Sequence, residues 1–227
     1  MCFSASASFG SGVVLVIMGV ASISKVEGRS ELPLAFFPFI FAIQQVSEGF
    51  VWLSLTNPTY SGWQDIPMYS FLIFSHVLWP TWIPFSILLL EKDLQRKKIL
   101  WFLFGTGITM GLYHIYCLIY LPVNARIDGH HIQYLIAHPV SLLMPANILY
   151  ALATIFPPFI SSIRRMWWLG LFILISYIAA YLVYRAYVIS VWCYFATLLS
   201  IIVYLILTRF QKQSSGQKLK FAPRLFR

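Results

Sequence analysis

The chain has 227 residues, of which 59% are hydrophobic and only 10% charged, and its mean hydropathy is +0.77. A soluble domain carries about 25% charged residues, so there are too few charges here to clothe a soluble core; the same scarcity excludes disorder and a coiled coil. What remains is an integral membrane protein. The formal charge of +9 would fit a nucleic-acid partner, but the basic residues are sorted by position along the chain.

The opening MCFSASAS has no Lys or Arg, and the first basic residue, Lys25, follows the apolar run, so a cleavable signal is not expected. Three cysteines, Cys2, Cys117 and Cys193, make no disulfide framework. A span needs about 20 apolar residues, and seven stretches qualify: about 8–24, 32–55, 67–90, 99–121, 139–160, 166–184 and 187–208. The last two are divided because one helix from Met166 to Thr208 would be about 65 Å long, twice the hydrocarbon thickness. A hairpin near Arg185, with Tyr181, Tyr184 and Tyr187 at the interface, resolves the excess.

Charge then orients the spans. Lys25 and Arg29 fall in loop 1–2, Lys92, Arg96, Lys97 and Lys98 in loop 3–4, and Arg164 and Arg165 in loop 5–6. The tail adds Arg209, Lys212, Lys218, Lys220, Arg224 and Arg227. These fourteen share one side, against Arg126 and Arg185 on the other. By the positive-inside rule the N-terminus is outside and the C-terminus cytoplasmic. The expected fold is all-α: a polytopic seven-transmembrane-helix bundle over residues 1–208, with 209–227 as a basic cytoplasmic tail. The implied partners are the lipid bilayer and anionic lipids at that tail. Nucleic acid is not expected, since no folded nucleic-acid-binding module accompanies the charges.

Six of the seven acidic residues sit in loops; Glu48 lies inside span two. Gln44, Gln45 and Glu48 share one helical face by their i,i+3 and i,i+4 spacing. An intramembrane acid is costly, so it must be paired, protonated or facing a wet cavity, and it reads first as functional. His76 in span three and His114 in span four fall in the outer half of the bilayer, as does Glu48. Gly107 and Gly111 form a small-xxx-small pair on nearly the face of His114, which turns that histidine toward a neighbouring helix. His130, His131 and His138 belong to the outer segment 126–138, too polar to span and too apolar for a free loop, which reads as an interfacial piece or a lid.

Pro38, Pro80, Pro84 and Pro145 lie inside spans, where each removes a backbone hydrogen bond and can free carbonyls to line a cavity. The leading expectation is an outward-facing cavity with Gln44, Gln45, Glu48, His76 and His114 as binding candidates. There it takes or transports a small solute, proton or metal ion, with Glu48 titrating. The alternative is a membrane-embedded, hydrolase-like metal enzyme holding Zn, Cu or Fe through His114, His130, His131, His138 or Cys2, with Glu48 as base. No H-E-x-x-H, His pair at i,i+4 or C-x-x-C supports that metal site. A structural or assembly partner is the third class.

The opening Met1-Cys2-Phe3-Ser4-Ala5-x-Ala7-Ser8, with Gln44-Gln45-x-x-Glu48-Gly49, Trp79-Pro80-x-Trp82-x-Pro84 and Gly129-His130-His131-Ile132, resembles a family of small bacterial multi-pass membrane proteins of unassigned function. The resemblance implies a bacterial inner-membrane location, adds weight to Cys2, Glu48, His130 and His131, and supplies no reaction. Seven-span hydrolases resembling alkaline ceramidases share the topology, but their late-helix histidines have no counterpart after His138.

Overall fold

The Ser4 side chain accepts a hydrogen bond from the Ala7 amide and starts α1, Ala5–Ile23, the first element of the computed structural model. Residues 4–183 and 195–221 are described. Cys2, Cys193, Arg224, Arg227 and the expected turn near Arg185, with Tyr184 and Tyr187, lie outside them.

A 3-10 turn at Arg29–Glu31 leads into the short α2, Leu32–Ala35, and then α3, Phe37–Thr56. Pro38 stands in the first turn of α3, where a missing N–H costs nothing, rather than kinking the middle of a span. α4, Asp65–Leu72, runs through a π-helical turn, Ile73–Leu78, into α5, Trp79–Leu90. α6, Leu94–Tyr120, starts at Asp93, whose carboxylate accepts from the amides of Gln95 and Arg96. It is followed by a β-hairpin, then α7, Val140–Ile155, and α8, Pro157–Ile160. α9, Met166–Val183, and α10, Ala196–Phe221, complete the order.

Among the described residues, four stretches are long and apolar enough to cross a membrane: Ala5–Ile23, Arg29–Thr56, Asp65–Leu90 and Leu94–Tyr120. Their bounds lie within a few residues of the first four expected spans. Three shorter apolar helices, Val140–Ile155, Met166–Leu182 and Ala196–Gln211, stand where the last three were expected. The fifth is cut short because Pro157 and Pro158 follow α7 at once and bias the chain out of the helix. The last begins later and runs on: α10 extends to Phe221, through basic residues expected to form a separate tail.

The hairpin corrects the all-α expectation. Val123–Asp128 pairs antiparallel with His131–Ile136, from Val123 opposite Ile136 to Asp128 opposite His131. Gly129, at φ 60°, is the first of two turn residues, the position that a type II′ turn reserves for glycine. Its signature was present in the sequence: Val123, Ala125 and Ile127 alternate with polar residues, and a Gly-His pair separates them from a second β-rich run. Ala125 and Ile132 are buried with Val51, Trp52, Met68, Phe71, Leu72 and Leu118 in an apolar cluster that seats the hairpin across one end of the helices. Phe71 stacks on Tyr134 at 4.6 Å, and Gln64 donates to the Ala125 carbonyl.

The larger core joins Leu15, Phe37, Phe41, Trp79, Ile83 and Ile87 to Leu100, Leu169, Ile173 and Val203. α1 packs on α3 and α10, and α5 on α6 and α7. The closest approach is at Gly107, where an added Cβ would stand 1.8 Å from the Pro80 carbonyl oxygen. Only glycine lets α6 lie so near the start of α5.

Candidate functional site

The π-helical turn positions the first site residues. Within it the Trp79 amide bonds back to the Phe74 carbonyl, five residues earlier. The next bond of that series would run from residue 80 to the Ser75 carbonyl, but Pro80 has no N–H. The Ser75 carbonyl is therefore left to another donor, and the Tyr150 hydroxyl of α7 supplies it at 2.6 Å. Such π turns recur at functional sites because the widened turn re-aims its side chains. Here they are Ser75 and His76, both buried.

His114 meets His76 from across the interface. The glycine face of α6 continues from Gly107 through Gly111, which touches Val77, to His114, and the two imidazole rings stand 4.9 Å apart. A third histidine follows the hairpin: His138 lies 5.8 Å from His114, ring to ring, and stacks on Tyr113 at 6.0 Å. All three line a cavity of about 390 Å³ with Gln44, Ser75, Tyr113, Asn147, Tyr150, Tyr177 and Tyr181. Its remaining wall is apolar, from Phe37, Phe41, Trp79, Ile83, Leu169, Ile173 and Leu199. The volume is that of an ordinary small-molecule pocket.

Several expected residues thus converge. Gln44, His76 and His114 line the cavity, and Gln44 accepts a 2.7 Å hydrogen bond from the Trp79 indole. His138 joins them, and the hairpin covers part of the cavity through Tyr134, Leu135 and Ile136, as a lid would. Others fall elsewhere. Gln45 faces α1, accepting from the Ser11 hydroxyl at 3.0 Å. Glu48 is fully buried one turn beyond Gln44 and is not part of the cavity wall. His130 and His131 lie at the hairpin turn, away from the other three, and Cys2 is outside the described residues. Among the described residues, no three His, Cys, Asp or Glu side chains are disposed to hold a metal ion.

Two loop histidines have lowered pKa values. His131 is held below the ordinary imidazole range by burial and by neighbouring His130, and His138 by burial. Sequence reasoning missed the tyrosines and Asn147. A signal existed for part of the set: Leu169, Ile173, Tyr177 and Tyr181 recur every four residues, so they share one face of α9.

A second buried polar cluster lies beyond the other end of α5. Glu91, expected as a loop acid, is 1% exposed. Its carboxylate accepts from the amides of Lys92 and Asp93, and from both the amide and the hydroxyl of Ser162, the latter two at 2.6 Å. Burial pushes its pKa up, but the bonds from Ser162, Asp93 and Lys92 outweigh that and hold it down to about 2. Beside it Arg96 donates to the Ile160 carbonyl.

A sequence profile matches residues 1–218, which take in the hairpin, the cavity wall and the Glu91 cluster. The chain belongs to a family of unknown function, DUF6629. No curated protein and no solved structure matches it. The family shown is an uncharacterised one, so the chemistry must be read from the site itself.

Proposed function

We propose that the protein is a multi-pass membrane protein that binds a small molecule in the His76–His114–His138 cavity and either holds it or passes it toward the hairpin end. The observation that carries this is the convergence of three histidines from three segments on one 390 Å³ space. Buried polar groups need hydrogen-bond partners, and ligand pockets combine an apolar wall with a few convergent polar groups. The membrane setting is supported by the four long apolar helices and by the one-sided distribution of basic residues. Seven spans, with the N-terminus outside and the basic tail near anionic lipids, remain the arrangement that charge favours. The reading moves the centre of the chemistry from Glu48 to the histidines.

The test is native mass spectrometry on protein released from lipid nanodiscs. Wild type is expected to retain a small-molecule adduct, and Ala146→Phe, which fills the cavity wall, should lose it while keeping its helical content. An adduct unchanged in the variant, or none in wild type, would overturn the proposal.

A further inference from the structure

The hydrogen bonds of the two facing histidines fix which nitrogen each presents. His114 Nδ1 lies 2.9 Å from the Met110 carbonyl, which can only accept, so Nδ1 carries the proton. The Ser75 hydroxyl donates to the Leu72 carbonyl at 3.2 Å and is left to accept from His76 Nδ1 at 2.8 Å. That network assigns the same tautomer to both rings. Each therefore turns its Nε2, a bare lone pair in the neutral ring, away from its own helix. The two rings that carry these acceptors stand 4.9 Å apart, centre to centre, on the wall of one cavity. A pair of lone pairs is satisfied by something that offers a proton or a positive charge.

The rest of the wall describes what else that occupant must be. α3 and α9 run away from the Glu91 end, and α5 runs toward it. Along α3 the lining passes from Phe37 and Phe41 to Gln44; along α9 it passes from Leu169 and Ile173 to Tyr177 and Tyr181. In the opposite chain direction it passes from Ser75 and His76 to Trp79 and Ile83. Three helices thus grade the cavity in the same sense: polar toward the hairpin, apolar toward the floor.

We infer that the cavity, if it is the binding site proposed above, takes a hydroxyl-bearing amphiphile, its O–H donated to the His76–His114 pair and its alkyl or prenyl body on the Phe41–Ile83–Ile173 floor. A simple cation satisfies the lone pairs but leaves that apolar floor unexplained, and no third donor completes a metal site among the described residues. A carboxylate or phosphate head would bring acceptors to acceptors.

The experiment is photolabelling in nanodiscs with a medium-chain alkanol carrying a mid-chain diazirine, beside its methyl ether. The ether keeps the length and partitions as readily into lipid, but cannot donate. The alcohol is expected to label peptides containing Phe41, Ile83 or Ile173 at least about tenfold more than the ether, the cost of about 1.4 kcal/mol for one unmatched buried polar group. His114→Phe should bring the two probes level. Histidine ¹⁵N spectra of wild type should show the proton of His76 and His114 on Nδ1. Equal cavity labelling by both probes overturns the donor-head inference and leaves the binding proposal standing. No cavity labelling by either defeats both. One equivalent of Zn²⁺ retained by wild type and lost in His114→Phe would also overturn the inference, with a cation on the lone pairs.

Discussion

The two ends of α5 each bury ionisable groups, and they do so in opposite ways. At the Glu91 end one carboxylate accepts four hydrogen bonds, from Lys92, Asp93 and Ser162, and nothing about it is left open. At the other end His76 and His114 each spend Nδ1 on their own helix, and both rings line a cavity. A buried group whose partners are all supplied by the fold is a fastener. One whose second valence faces a space is a place for a visitor. Burial and residue type alone do not separate these cases; the count of remaining partners does.

The strongest way to break the comparison is to remove the fastener. Glu91→Ala removes the charged acceptor of all four bonds from Lys92, Asp93 and Ser162 and should cost about 3 kcal/mol. Chemical unfolding in detergent should show this loss while binding at the cavity, measured in the folded protein, is kept. Acid should act on the same group. Its pKa is about 2 when folded, against 4.5 ordinarily. The unfolded chain therefore binds the proton first as pH falls, and the stabilisation, complete above about 4.5, disappears between there and about 2. In Glu91→Gln that acid-dependent part should vanish from the unfolding curve.

Gly107 probes the other end with a smaller but more selective effect. Its missing Cβ would fall 1.8 Å from a backbone oxygen, so Gly107→Ala must push α6 away from Pro80. Overpacking of this kind costs about 1–3 kcal/mol. The shift also separates His114 from His76, since Gly107, Gly111 and His114 share a face. Ligand affinity should therefore fall more steeply than stability. If the two fall in proportion, the glycine face serves packing only.

Much of this was legible from residues. The first four apolar stretches and the Gly107–Gly111–His114 face, which turns His114 toward a neighbouring helix, follow from periodicity, which backbone geometry enforces locally. The hairpin was hidden because 126–138 was read for hydropathy, while its information lay in alternation and in Gly129. Pro80 is visible as a helix breaker, but the Ser75 carbonyl that it frees finds its donor in Tyr150, 75 residues away, and no local rule connects a freed carbonyl to a distant hydroxyl. Glu91 falls in a loop by its position after span three, and nothing local marks it as buried. Its burial depends on Ser162, which only tertiary structure delivers. Glu48 shows the converse: a buried acid in a span draws attention by its cost, yet the cavity wall is built from the next turn.

The smallest effect expected concerns the hairpin, and it sharpens the contrast in pH. His131 and His138 have folded pKa values below the ordinary 6.5, chiefly through burial. For a base this means that the folded state resists protonation, so the unfolded or undocked segment takes up the proton first. Stability from these groups is present above about pH 6.5 and declines as pH falls through their folded values. Asp128, opposite His131, offsets part of this, so the hairpin should loosen rather than detach. Amide hydrogen exchange at Arg126 and Gln133, a pair bonded within the ladder, should accelerate severalfold between pH 7 and pH 5, after correction for intrinsic rates, while amides next to Glu91 stay protected until the pH is well below 5. His131→Asn, which keeps a planar polar side chain without the titration, should flatten the hairpin response. If both regions respond over one pH window, the two ends of α5 are a single cooperative unit and the contrast between fastener and site fails.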